Sequence, residues 1–158
     1  MTKILTIKDL DSVYNLVQNT IRTCYSKYYA SGVVDFFSNH HSKENITADI
    51  LAGNVYGFYE DNRLIATGTI VENGITRVFV NPDFQGQGIG TSIFDMFEKI
   101  IFEKYDSFQL DASLAAVKMY ENRGYKTLSH EITDCKNGAF LVYEIMGKKR
   151  YMMIKKSL

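Results

Sequence analysis

The sequence predicts an α/β fold in one domain, built on a mixed, largely antiparallel sheet with helices on both faces. Three observations predict it. Short runs rich in β-formers alternate with stretches of helical periodicity, in the order β-α-α-β-β-β-α-β-α-β-β. The turn signals Asp61-Asn62 and Glu72-Asn73-Gly74 join the central strands as an antiparallel meander. The strand–loop–helix–strand passage from Ile75 to Ala112 then requires one parallel crossover. No repeat, low-complexity stretch or Pro/Ser-rich linker divides the chain. Residues 1–147 therefore read as one domain, with 148–158 as a C-terminal extension.

In chain order, a short strand over Lys3–Ile7 precedes a helix that Asp9 or Asp11 can cap. Val13, Leu16, Val17, Ile21 and Cys24 give that helix its apolar face. Residues 32–52 read as one or two short helices ended by Gly53. Val55–Glu60, Leu64–Val71 and Ile75–Val80 form the meander. A glycine loop over Asn81–Gly90 opens a helix whose inner face carries Ile93, Phe94, Phe97, Ile100 and Ile101. Phe108–Ala112 is a strand, and Ser113 can cap a last helix that ends at Gly124. Strands over Lys126–Thr133 and Ala139–Met146 close the chain around Lys136-Asn137-Gly138.

Bulk composition narrows the function. The 158 residues carry equal numbers of acidic and basic side chains, which removes the simplest electrostatic argument for a nucleic-acid or membrane partner. No apolar run approaches the roughly 18 to 20 residues that span a bilayer, and the first residues lack the apolar core of a signal peptide. Cys24 and Cys135 show no CxxC spacing, which argues against structural zinc and leaves no metal expected. A reducing cytoplasm is the expected location.

The richest segment is Val78-Phe79-Val80-Asn81-Pro82-Asp83-Phe84-Gln85-Gly86-Gln87-Gly88-Ile89-Gly90-Thr91. Alternating glycines at a helix mouth let backbone N–H groups converge on an anion, and the helix dipole adds to that field. Such a loop suits a pyrophosphate. A P-loop would need lysine after the last glycine, where Thr91-Ser92 stand. A dinucleotide fingerprint starting at Gly86 would need glycine at position 91, although Asp111 lies where a ribose-binding acid would fall. The third pattern, Gln-x-x-Gly-x-Gly, is met by Gln85, Gly88 and Gly90.

That pattern and its setting resemble the coenzyme A motif of the GNAT acetyltransferases. Val78–Phe94 is similar to the central GNAT motif nearly position for position. The run from Leu110 to Tyr125 resembles the family's second motif, with Met119 in the place of its usual aromatic. The resemblance covers about residues 3–147 and implies a GNAT-like sheet with its parallel crossover at the coenzyme A site. It further implies that acetyl-CoA is the cosubstrate. Val78, Phe79 and Val80 would pair by their backbones with the pantetheine arm, and Gln85, Gly86, Gln87, Gly88, Ile89, Gly90 and Thr91 would hold the pyrophosphate. Ser113 stands where many members have a CoA-contacting asparagine.

The reaction implied is direct attack of an amine, from a small molecule or a peptide, on the acetyl thioester. Tyr120 occupies the family's general-acid position, although its spacing with Ala116 and Met119 equally suits a core tyrosine. Asp111 and Glu72 are candidate bases, each also readable as a solvated strand-end or turn acid. The segment from Cys24 to His41 is dense in aromatics, and Tyr25, Tyr28, Tyr29, Phe36, His40 and His41 are candidate walls of an acceptor pocket. The same residues suit plain helix packing, and Cys24 reads as a small buried apolar group. The basic tail 148–158 reads as a solvated extension, an added strand or a homodimer contact. Two function classes follow: an N-acetyltransferase, or a non-catalytic acyl-CoA-binding sensor or scaffold.

Overall fold

The computed structural model describes residues 1–150. Seven strands, β1 (Thr2–Ile4), β2 (Val55–Glu60), β3 (Arg63–Val71), β4 (Gly74–Val80), β5 (Ser107–Ser113), β6 (Lys126–Asp134) and β7 (Phe140–Lys149), form one sheet. Its order is β1-β2-β3-β4-β5-β7-β6. Every neighbouring pair is antiparallel except β4 with β5. Lys148 and Lys149, assigned from sequence to an extension, are the last residues of β7. The remaining tail reading, from Tyr151 onward, lies outside the described residues.

The helices are α1 (Leu10–Cys24), α2 (Ser31–His40), α3 (Lys43–Leu51), α4 (Ile89–Phe102) and α5 (Val117–Asn122). Two apolar layers follow from their periodicity. On one face, Val13, Leu16, Val17 and Ile21 of α1 join Ile46 and Ile50 of α3 over Val55 and Phe79. On the other, Ile93, Phe94, Phe97 and Ile101 of α4 cover Ala66, Leu110, Ala112 and Met146. Gly68 makes the second layer possible: a Cβ there would lie 2.4 Å from the Phe97 ring, so a side chain would push α4 off the sheet.

The turns agree with their residues. Asp61 and Asn62 both take positive φ (45° and 61°), the two-residue hairpin geometry those side chains tolerate. Ser42 caps α3 by accepting from Asn45 N–H. Ser113 does not cap α5. It ends β5, its carbonyl accepts from Ala116 N–H (2.8 Å), and α5 starts at Val117 without a side-chain cap. What holds this short helix is a charged anchor. Glu98 of α4 takes Lys148 Nζ (2.7 Å), Arg123 (3.0 Å) and the Tyr125 hydroxyl (2.9 Å).

A second buried anchor ties α2 and α3 to β4. Arg77, 8% exposed, meets Asp49 at 2.6 Å and donates from Nε to His41 Nδ1 at 3.0 Å. His41 is therefore a structural residue facing inward and not a pocket wall. Burial first, and then the charges of Arg77 and His40, push its imidazole down to about 3. An unfolded chain titrates this ring near pH 6.5. Between those two values the unfolded state binds the extra proton. The stability contributed by the neutral ring is thus complete above about pH 6.5 and lost as pH falls toward 3. We expect urea unfolding to show a loss of up to about 1.4 kcal/mol per pH unit from this group below pH 6.5, and His41→Gln to remove that slope.

Candidate functional site

β4 and β5 pair only at Gly74–Gln109 and Ile75–Leu110. On its other edge β4 pairs with β3, but the register moves from Thr69–Arg77 to Ile70–Ile75. Thr76 is left as an extra residue, a bulge that bends the strand. Beyond it β4 stays with β3 and leaves β5. The ladder's alternation then assigns each backbone group. Asn81 N–H donates to Ile65 O (2.8 Å), so Phe79 and Arg77 also bond toward β3. Val78 and Val80 turn theirs toward the gap. The Val80 carbonyl takes a hydrogen bond from Gln85 Nε2 (2.9 Å). Its N–H, and both groups of Val78, face the opening. Phe79, expected to pair with a pantetheine arm, bonds to Thr67 and buries its ring among α1 and α3.

The glycine loop lies at the end of this opening. Asn81 Oδ1 accepts from Asp83 N–H (3.0 Å) and turns the chain. Gly86 and Gly88 take φ of 76° and 80°, and a Cβ on either, or on Gly90, would meet open space. Ser92 N–H makes the first bond of α4, to Gly88 O (3.0 Å). The amides of Ile89, Gly90 and Thr91 thus have no partner within the helix. Gln87 and Thr91 are exposed beside them. Gln85 acts differently from its neighbours: besides holding Val80 O, its Nε2 stands 3.4 Å from Cys24 Sγ. Cys24 is half-buried there, at the end of α1.

Two tyrosines lie in the apolar layers on opposite faces of the sheet. Tyr120, on α5, packs edge-on against Phe94 (5.4 Å) and against Tyr125 (5.4 Å). Burial pushes its phenol up to about 12, so it is protonated and able to donate at neutral pH. Tyr25, just past α1, packs on Phe37 (4.9 Å), Tyr29 (5.9 Å) and Phe79 (6.1 Å). Burial drives its hydroxyl well above the usual phenol range, and ionised Tyr120 pushes it further in the same direction. The sequence carries no sign of this influence, which spans 95 residues of chain.

The face beneath α1 and α2 supplies the rest. Asp111 of β5 stands beside Ile145 of β7, and Ser113 beside Tyr143, which in turn faces Glu131 of β6. Phe36 and His40 stack at 6.0 Å on α2 above them. Burial raises the Asp111 carboxyl; His40 opposes that shift and Glu131 adds to it. The fold therefore brings together Asp111, His40 and Phe36, with Glu131 as an addition that sequence reasoning missed. The Tyr29 hydroxyl is buried without a hydrogen-bond partner among the described residues. Tyr28 stands apart, 69% exposed. Glu72 is also excluded as a base. It is exposed in the β3–β4 turn, and the length of β4, about 20 Å, separates it from Val80.

The fold has known counterparts. The Acetyltransferase (GNAT) domain family model matches residues 24–142. No curated relative matches the chain. A GCN5-related N-acetyltransferase from Rhodopseudomonas palustris superposes with a TM-score of 0.84 at 18% identity, covering 94% of each chain. The PaiA N-acetyltransferase of Thermoplasma acidophilum, in complex with coenzyme A, gives 0.73 at 22% identity, over 94% of this chain and 98% of that one. The ribosomal-protein-S18-alanine N-acetyltransferase of Escherichia coli gives 0.70 at 15% identity, over 100% and 98%. With the family model spanning most of its length and its sheet parting as described, the chain belongs to the GNAT acetyltransferase family.

Proposed function

We propose that this protein is an acetyl-CoA-dependent N-acetyltransferase acting on a primary amine of a small molecule or peptide. The observation that carries the proposal is the gap between β4 and β5, into which Val78 and Val80 turn unpaired backbone groups. A pantetheine arm can complete those bonds as a surrogate strand, while Gly86–Thr91 and the start of α4 receive the pyrophosphate. The space that a Cβ on Gly86, Gly88 or Gly90 would enter is open. The coenzyme A held by the Thermoplasma relative supports the same reading.

Acetyl-CoA supplies an activated acyl carbon. The amine forms a bond to that carbon as the C–S bond breaks, and the rest of the work falls to this chain. The Val80 N–H faces the position where negative charge develops on the carbonyl oxygen. Tyr120 donates the proton that the departing sulfur needs. Its phenol is raised by the dryness of the site, and that dryness also raises the basicity of a thiolate beside it, which keeps the two matched. Asp111, with His40 above it, is the group placed to receive a proton from the incoming ammonium. Its raised carboxyl is a better base than an ordinary aspartate.

A coupled thiol-release assay over an amine panel tests this. Acceptor-dependent release supports the enzyme; coenzyme A binding with no release for any amine would favour a sensor. Tyr120→Phe is expected to keep coenzyme A affinity and lose on the order of 10²-fold in turnover. Unchanged turnover would remove Tyr120 from the chemistry. Gly88→Val forces a branched side chain to φ 80° at the anion site. We expect it to weaken coenzyme A binding by at least about tenfold in calorimetry, with the far-ultraviolet spectrum unchanged.

A further inference from the structure

The two edges of the sheet are treated differently. β1 is a three-residue strand, short enough to offer little to another chain. β6 runs for nine residues on the opposite edge. Its backbone orientation can be read from the hairpin. Cys135 N–H donates to Ala139 O (3.0 Å), so the alternation gives Thr133, Glu131 and Ser129 their bonds toward β7. His130, Ile132 and Asp134 turn their N–H and C=O groups to the free edge.

The side chains on this hairpin are equally unbalanced. One face packs Leu141 and Tyr143 against Val33 and Phe36 of α2. On the other face, Ile132 lies opposite Val142 and Phe140 opposite Asp134, and these three apolar groups are 69%, 41% and 62% exposed. α4 and α5 cover Met146 of β7 but do not reach this end of the hairpin. Among the described residues this edge keeps free donors and acceptors and is lined by uncovered apolar side chains, a surface suited to another strand.

We propose that this surface is filled by a second copy of the chain, with the two β6 strands antiparallel about a two-fold axis at Ile132. The strand's own sequence argues for this occupant. In that register Ile132 meets Ile132 of the partner subunit, and His130 meets the partner's Asp134, with the reciprocal pair on the other side. Each of these is an outward-facing position, so each pair exchanges both of its backbone hydrogen bonds. Glu131 falls opposite the partner's Thr133, so no like charges face each other. A register centred on His130 would have to run through the irregularity between Thr127 and Ser129, which ends the regular edge. The arrangement is isologous and closes on itself, leaving only the short β1 strand at each end of the joined sheet.

The oligomeric state tests this directly, and it does not depend on any acyl transfer. Sedimentation equilibrium of the intact chain at tens of micromolar is expected to give a dimer. Ile132→Lys is expected to give a monomer with an unchanged far-ultraviolet spectrum. Should that variant misfold, a charge exchange decides the matter. His130→Asp alone and Asp134→Lys alone are each expected to raise the dimer dissociation constant roughly tenfold, and the double variant to recover it. A monomeric wild type, a folded Ile132→Lys that still dimerises, or a double variant no tighter than the singles would each overturn the proposal.

Discussion

The bulge at Thr76 is the constraint on which the site depends. A parallel pair that stayed in register would bury the inner edges of β4 and β5 against each other, and no backbone group would be left over. One extra residue against β3 turns β4 away after Ile75. Val78 and Val80 then keep their side chains in the core layer beneath α4 while their backbone groups face an opening. The glycine loop stands at the mouth of that opening because it is the continuation of the same strand. A cleft is thus obtained from a paired sheet by removing hydrogen bonds, and its vacant donors and acceptors are what the proposed carrier would meet.

Each face of the sheet also contributes a tyrosine packed into its apolar layer. Tyr120 belongs to the layer under α4 and Tyr25 to the layer under α1 and α3, and the charge of an ionised Tyr120 acts on Tyr25. Both positions rest on charge networks set back from the opening. The Glu98 cluster fixes α5, and the Asp49–Arg77–His41 contacts fix the link between α2 and α3. Losing one partner of such a buried pair leaves an uncompensated charge, which costs far more than a surface ion pair. Two adjacent histidines consequently have opposite fates. His41 is locked under the helices, while His40, one residue earlier, stacks on Phe36 and keeps its ring at the surface near Asp111.

Local signals were legible and long-range ones were not. The alternating strand residues, the Asp61-Asn62 turn and the stripe of α1 are short-range patterns, and each element formed within a few residues of its expected bounds. The glycine loop was legible for the same reason, since its conformation is written in its own glycines. The bulge was not. Thr76 is an ordinary strand residue, and only its mismatch with β3 makes it special. Glu72 looked like a base because sequence shows that an acid precedes a strand but not which end of that strand carries the site. Ser113 looked like a cap because the turn after β5 delays the helix to Val117. The influence of Tyr120 on Tyr25, and of Glu131 on Asp111, depends on sheet order, which no local pattern encodes.

In the proposed reading, particular amides and not side chains receive coenzyme A. Amide correlation spectra recorded during a coenzyme A titration test it most directly. Val78 and Val80 are expected to shift together with Ile89, Gly90 and Thr91, while Phe79, bonded to Thr67, moves less. Saturable binding that leaves the Val78 and Val80 amides unmoved would contradict the account.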